Sequence, residues 1–327
     1  MADEPTPKPA EDARPAGVPE RDAGAGVPER DAGAGGPEGD AGAGGRVRLL
    51  VSCPDRPGIV ATVSRFLFEL GANITDADQH STDPHGGTFF MRMAFELPAS
   101  GADPARVREA FERDVAPRFA MRWRMTDARR PKRIAVLASN VEHCLQELLW
   151  RRRAGEFDGD IVMVISNHER LRGVAEPFGV PFHYLPVREG EREAQEAQVL
   201  GLLEGAADLV VLARYMQILS PAFVARYPER IVNIHHSFLP AFSGGRPYHR
   251  AYERGVKLIG ATAHYVTDAL DQGPIIEQDV VRVTHRQNVP ELVSLGREIE
   301  RRVLARAVKL HLEDRILVHG NKTIVFD

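Results

Sequence analysis

From Arg46 onward the apolar positions of the chain fall into short periodic runs, whereas the residues before it show no apolar period. "VRLLVS" reads as a strand. In "DRPGIVATVSRFLFELGANI", Ile59, Val60, Val63, Phe66, Leu67 and Leu70 recur at helical spacing, and Gly71 is placed to end the helix. "ANITDADQHST" continues as an extended segment, and in "TFFMRMAFEL" Phe89, Met91, Met93, Phe95 and Leu97 alternate with more polar positions at strand period. Asp103 as cap and Pro104 in the first turn open a second helix with Val107, Phe111 and Val115 on one stripe. "FAMRWRM" closes the unit as another strand. The predicted order is βαββαβ, a split βαβ arrangement.

"TDARRPKR" is a polar, basic linker, and beyond it strands and helices alternate. "RIAVLAS", "DIVMVIS", "FHYLPV", "ADLVVLA", "RIVNIHH" and "LIGATAHYV" are strand-like. "NVEHCLQELLWRRRAG", "HERLRGVAEPFG" and "EREAQEAQVLGLLEGA" are helix-like. Such alternation specifies a mainly parallel sheet with helices on both faces. A long final helix begins at Asn288, with Glu291 three residues on as in a capping box, and "RILVHGNKTIVFD" reads as a hairpin around Gly320 and Asn321.

At 327 residues and 43% hydrophobic content, the chain is long enough for two packed domains. Net charge is -4, and in "GREIERRVLARAVKLHLEDR" the Arg residues interleave with acids, so they read as solvated helix faces and not as a nucleic-acid footprint. Cys53 and Cys144 are far apart with no CxxC spacing, which excludes a disulfide framework and a cysteine zinc site and leaves both as small buried hydrophobes. No apolar run approaches a membrane span, and the acidic N-terminus has no apolar signal region. A cytoplasmic protein that binds neither membrane nor nucleic acid is expected.

The chemistry concentrates in two segments. "NIHHSFLPAF", residues 233 to 242, and "GATAHYVTDALDQGPIIEQD" put polar groups at the ends of strand-like runs, and in open parallel sheets ligands bind beyond the strands' carboxyl ends. Positions two apart in a strand share a face, so Asn233 and His235 are expected to point together and His236 away. An amide donor beside an imidazole suits a carbonyl that becomes tetrahedral, because one holds the oxyanion and the other polarises it or moves a proton. Asp271 and Asp268 both offer the carboxylate such a site needs, and periodicity does not separate them. His235, His249, His264 and Asp271 include no tight HxxxH pair, so no metal is expected.

Residues 46 to 126, with "CPDRPGIVATVSRFLFELGANI" as the signature, resemble an ACT domain, a ferredoxin-like module that commonly binds amino acids. Pro57 and Gly58 make the turn into its first helix, whose amides can receive a carboxylate. Residues 132 to 327 resemble the Rossmann-like formyltransferase fold that handles 10-formyltetrahydrofolate. Motif by motif, that family's catalytic residues fall on Asn233, His235 and Asp271, with His264 supporting the site. Its folate-binding segment resembles "LARYMQILSPAFV", which assigns Arg214, Met216, Gln217, Ile218 and Leu219 to the substrate pocket. The transferases carry a glycine-rich phosphate cradle after the first strand. Here that place reads "LASNVEHCLQEL", without a glycine and with the acid Glu142.

ACT module, missing cradle and "HHSFLP" together resemble the formyltetrahydrofolate deformylase family, in which water takes the formyl group. The resemblance implies hydrolysis to tetrahydrofolate and formate, balancing one-carbon folates for purine synthesis. It implies no cofactor, a folate substrate, glycine or methionine as an effector of the ACT domain, and a homodimer or homotetramer. A transferase acting on an amine, and a non-catalytic amino-acid or folate sensor, are the competing readings.

Residues 1 to 45 contain "GVPERDAGA GVPERDAGA GGPEGDAGA", a repeat of small and charged residues, and residues 127 to 131 link the two folded parts. The repeat has almost nothing to bury against the entropy of ordering and is expected to be a disordered leader. Deleting residues 1 to 44 should leave the melting temperature and turnover almost unchanged. A large fall in melting temperature on deletion would contradict that reading.

Overall fold

The computed structural model describes residues 45–83, 85–99, 103–240 and 247–327. The expected leader, except Gly45, and the middle of "LPAFSGGRPYH" lie outside them. Six elements follow the first pattern: β1 (Arg46–Pro54), α1 (Ile59–Glu69), β2 (Asn73–Ser81), β3 (Thr88–Glu96), α2 (Pro104–Asp114) and β4 (Arg122–Asp127). They form a sheet in the order β2-β3-β1-β4, with every neighbouring pair antiparallel. Gly58 enters α1 at φ 95, a left-handed geometry open to glycine. The Asp103 side chain caps α2 by accepting from the Ala105 amide.

One face of this sheet behaves as its alternation predicts. Val47, Leu49 and Val51 of β1 join Met91, Met93 and Phe95 of β3 in a core covered by Val63, Leu67, Val107 and Phe111 from the two helices. The central positions of the other face of β3 do not meet solvent. Phe90 is fully buried, and Arg92 is 4% exposed, because the C-terminal hairpin covers this second face through Phe326, Leu317 and Ile324. That hairpin is β12 (Ile316–His319) paired with β13 (Lys322–Val325), turning at Gly320 and Asn321 as the sequence indicates.

The second sheet runs β11-β10-β9-β8-β5-β6-β7. Its parallel members are β5 (Lys132–Ala138), β6 (Gly159–Ser166), β7 (Phe182–Tyr184), β8 (Leu209–Ala213) and β9 (Ile231–His235). β10 (Leu258–Tyr265) and β11 (Ile275–Arg282) run antiparallel. The chain order reverses between β5 and β8, where open α/β sheets leave a crevice at their strand ends. α3 (His143–Arg153) and α8 (Val289–Leu312) supply one face, and α5 (Arg192–Leu203) and α6 (Pro221–Arg226) the other. α7 (Pro247–Arg254) packs on α8.

Three expectations need correction. "HERLRGVAEPFG" holds only a four-residue helix, α4 (Arg172–Ala175), between short 3-10 turns, since Gly173 and Pro177 interrupt it. β11 carries little alternation, with Ile276 its one fully buried position, and so escaped the pattern. Finally, "GREIERRVLARAVKLHLEDR" is not simply solvated: Glu300 is 1%, His311 6% and Asp314 1% exposed. Glu300 and His311 fall on the same stripe as Gly296, Ile299, Val303, Leu304, Ala307 and Val308, which faces the core.

Asn288 and Glu291 form the expected capping box at the start of α8. Gly296 lies in the contact between α7 and α8, where an added Cβ would stand 2.0 Å from the Tyr248 hydroxyl oxygen. In a free helix Gly→Ala gains roughly 1 kcal/mol of propensity. Here the clash outweighs it, since overpacking costs roughly 1–3 kcal/mol. Gly296→Ala should therefore lower stability in urea titrations, and a stabilised variant would show that the two helices are free to separate.

Candidate active site

Asn233 and His235 lie on β9, and the antiparallel register sets His264 of β10 opposite Asn233 and Thr262 opposite His235. Because β10 runs against β9, its loop does not leave where the parallel strands end, as the sequence pattern had suggested. The segment 266–274 instead folds back to β11, bringing Asp271 against both imidazoles. His235 Nδ1 is 3.3 Å from Asp271 Oδ2, and His264 Nε2 is 3.8 Å from Asp271 Oδ1. All four side chains line one cleft.

Hydrogen-bond chemistry fixes the roles inside it. His264 Nδ1 is 2.9 Å from the Tyr265 carbonyl, which only accepts, so Nδ1 carries the proton. Burial lowers the His264 pKa, opposed by that carbonyl and by Asp271, and the ring stays neutral. Nε2 is then an acceptor, and the Asn233 amide donates to it over 3.1 Å. This contact orients the amide and leaves its second N–H for a ligand. His235 is 6% exposed and gives Nδ1 to Asp271, while its Nε2 is buried with no hydrogen-bond partner among the described residues. A buried polar atom without a partner in a cleft marks a place for a ligand atom.

The hydrogen bond from His235 lowers the Asp271 pKa against the opposing effect of burial, keeping it a carboxylate. Asp271 adopts φ 55, a left-handed conformation unusual for a residue with a side chain. Close by, a Cβ on Gly273 would stand 1.8 Å from the Tyr265 carbonyl oxygen, so only glycine lets the loop close on the group that holds His264. Asp268, the rival carboxylate, also lines the cleft but is exposed, and among the described residues it pairs with neither imidazole.

Arg214, Met216, Gln217, Ile218 and Leu219 line the same cleft. Met216, Ile218 and Leu270 are 60%, 56% and 58% exposed, apolar surface at the mouth that suits a flat ring. Ser139, at the end of β5, donates to Asn167 Oδ1 at 2.7 Å and accepts from the Met216 amide at 3.0 Å. The position after the first strand thus supports the pocket from behind, through the side chain that holds Met216.

Several participants were not singled out from the sequence. Glu300 accepts from the Tyr248 hydroxyl at 2.7 Å, lies 2.8 Å from His143 Nε2 and 3.5 Å from Arg214 Nε. Burial opposes its charge, but His143, Arg214 and Tyr248 outweigh that and hold its pKa below the ordinary carboxylate value. Arg214 itself is at φ 62. His143, Cys144 and Glu300 place potential metal ligands within 4.8 Å of one another; both Glu300 oxygens already have partners, and burial pushes the Cys144 thiol pKa well up. The signal in the sequence was an acid on the apolar stripe of a long helix.

His236 does not turn away from the cleft, as strand alternation suggested. The strand ends at His235, both residues line the cavity, and their ring centroids are 5.2 Å apart. Burial, then Arg214, lowers the His236 pKa to about 4, which keeps it neutral. His249 is exposed on α7 and is not part of the cleft lining. No helix among the described residues is long and apolar enough to cross a membrane.

Residues 132–308 match the Formyl transferase family and residues 47–112 the ACT domain family. The chain is 56% identical over 281 residues to the formyltetrahydrofolate deformylase of Bacillus subtilis, covering 86% of this chain and 93% of that protein. It is 56% identical over 279 residues to the enzyme of that name from Mycobacterium tuberculosis, covering 85% and 90%. A solved formyltetrahydrofolate deformylase from Pseudomonas syringae pv. tomato superposes with a TM-score of 0.83 at 51% identity, covering 87% of this chain and 95% of that one. Glycinamide ribonucleotide transformylase 1 from Symbiobacterium toebii gives a TM-score of 0.58 at 34% identity, covering 60% of this chain and 95% of that one. The deformylase likeness extends through most of both folded parts, and the chain belongs to the formyltetrahydrofolate deformylase family.

Proposed function

We propose that residues 132–327 hydrolyse 10-formyltetrahydrofolate to tetrahydrofolate and formate, and that residues 46–126 regulate them, joined through 127–131. The observation that carries this reading is the convergence of an oriented amide, Asn233, with a His235–Asp271 pair in one cleft. Asp271 takes a proton from water as its oxygen attacks the formyl carbon. Asn233 donates to the formyl oxygen as its charge grows, His235 does so through Nε2 in the form with protons on both ring nitrogens, and His264 holds Asn233 in place. Collapse breaks the carbon–N10 bond, and the proton held by the His235–Asp271 pair goes to N10. The pair titrates as a unit. One oxyanion donor is worth ~10²–10³ in rate and placed proton transfer ~10²–10⁴.

Water as the acceptor is supported by the contacts of the segment between β5 and α3. A phosphorylated amine needs a turn whose backbone amides reach its phosphate. In this chain Ser139 is committed to Asn167 and Met216, and His143 to buried Glu300. The cellular role follows from the products: returning tetrahydrofolate balances the one-carbon pool that feeds purine synthesis. We assign the ACT domain a small amino-acid effector, with glycine and methionine the first to test, in a homodimer or homotetramer.

Incubation with 10-formyltetrahydrofolate and no amine tests the activity by the absorbance of tetrahydrofolate. Steady turnover is expected, and turnover that begins only with an amine would make the chain a transferase. Asp271→Asn should lower kcat by ~10²–10⁴ with folate binding retained, and Asp268→Asn should change it by less than about twofold, as an exposed surface carboxylate does. The reverse ranking of the two variants would overturn the site assignment.

A further inference from the structure

The orientation of Asn233 depends on the tautomer of His264, which the Tyr265 carbonyl fixes. Tyr265 is held in turn from beneath. Its hydroxyl lies 2.7 Å from His311 Nδ1 in the last turn of α8, and the two residues are 3% and 6% exposed. Burial, then the charges of Lys132 and Arg124, lowers the His311 pKa to about 3, so this is a contact between neutral groups. Breaking it would strand a buried polar atom on each side.

The end of α8 belongs to two domains. Four terminal carbonyls of a helix lack partners within it, and its dipole draws cations there. Lys132 donates to the His311 and Leu312 carbonyls at 3.1 and 2.8 Å. The ACT sheet adds donors at the helix end and just past it: Arg48 of β1 to Leu312 at 3.0 Å, and Arg92 of β3 to Glu313 and Asp314 at 3.1 and 3.0 Å. The Asp314 side chain accepts from Thr126 at 2.8 Å and pairs with Arg124 at 3.3 Å, both from β4. A continuous series of bonded groups therefore runs from the ACT sheet through α8 and Tyr265 to His264.

We propose that Tyr265 and His311 are positioning residues for the deformylation, held in register by the ACT sheet through its cap on α8. The inference rests on the role of His264 given above. Turning the peptide after Tyr265 removes the acceptor from His264 Nδ1. The Tyr265 ring, tied to α8, resists that turn, and Gly273 packs against the carbonyl itself. Released, His264 can carry its proton on Nε2, which no longer accepts from Asn233. The amide then loses its aim at the formyl oxygen. Substrate binding through Met216 and Ile218 needs none of this, so the effect falls on kcat.

The test uses the full chain and three variants: Tyr265→Phe, Tyr265→Phe combined with His311→Leu, and Arg92→Met. Hydrolysis kinetics, urea stability and nitrogen-15 resonances of His264, identified by their loss in His264→Gln, are read for each. Tyr265→Phe should lower kcat by about tenfold to a hundredfold, as a misplaced reacting group does, with KM within twofold and the His264 resonances shifted. The double variant, which removes both polar groups, should regain stability but not kcat. Arg92→Met, on the other domain, should shift the same resonances and lower kcat. Normal kcat with unshifted resonances in Tyr265→Phe, or kcat returning with stability in the double variant, overturns the proposal. An unaffected Arg92→Met overturns the part assigned to the ACT sheet. Should the parent chain not hydrolyse the substrate at all, the functional reading fails by itself, and the His264 resonances still decide the positioning role.

Discussion

The C-terminal end of α8 presents carbonyls and the buried carboxylate of Asp314, and the groups that satisfy them come from both halves of the molecule. Arg48, Arg92 and Arg124 reach across from the ACT sheet, and Lys132 enters from the first strand of the catalytic sheet. Removing the buried Asp314 carboxylate would leave the cations around it uncompensated, at roughly 3–5 kcal/mol. Such a contact ties the ACT sheet to the helix under the active site. It also accounts for the two-sided burial of β3, because the hairpin that comes after α8 must lie on that sheet.

The same helix organises the chemistry further up. Glu300, four residues beyond the Gly296 contact with α7, gathers Tyr248, His143 and Arg214. Its charge is kept by these partners in spite of burial, and they occupy the region after β5 where a phosphorylated second substrate would need open backbone. Arg214 and Asp271, both in the lining of the cleft, hold left-handed backbone angles. Strain of this kind costs roughly 1–3 kcal/mol and persists where surrounding contacts over-determine it, as the Glu300 pair and the His235 contact do here.

The order of elements was legible because apolar periods of two and 3.6 survive wherever one face of an element is buried. Asn233 and His235 could be singled out because polar groups at a strand end contradict a sheet core, whereas the choice of Asp271 over Asp268 and the supporting part of His264 rested on the family resemblance. Patterning failed where burial came from elsewhere in the chain. Phe90 and Arg92 are covered by a hairpin more than two hundred residues away. Glu300 and His311 looked like members of a charged helix face, although their spacing from Gly296 and Val303 put them on the inward stripe. His236 shows the limit of strand alternation at a strand's last residue. The antiparallel direction of β10, which decides how Asp271 reaches the site, depends on sheet order, and no local pattern specifies it.

The chemistry we propose turns on water, held by Asp271, as the acceptor of the formyl group. Hydrolysis in ¹⁸O-labelled water tests it most directly, with formate collected for mass spectrometry in the presence and absence of phosphorylated amines. One new label in each formate, at a rate the amines do not raise, is the predicted result. Unlabelled formate, or formyl groups recovered on the amine, would contradict it.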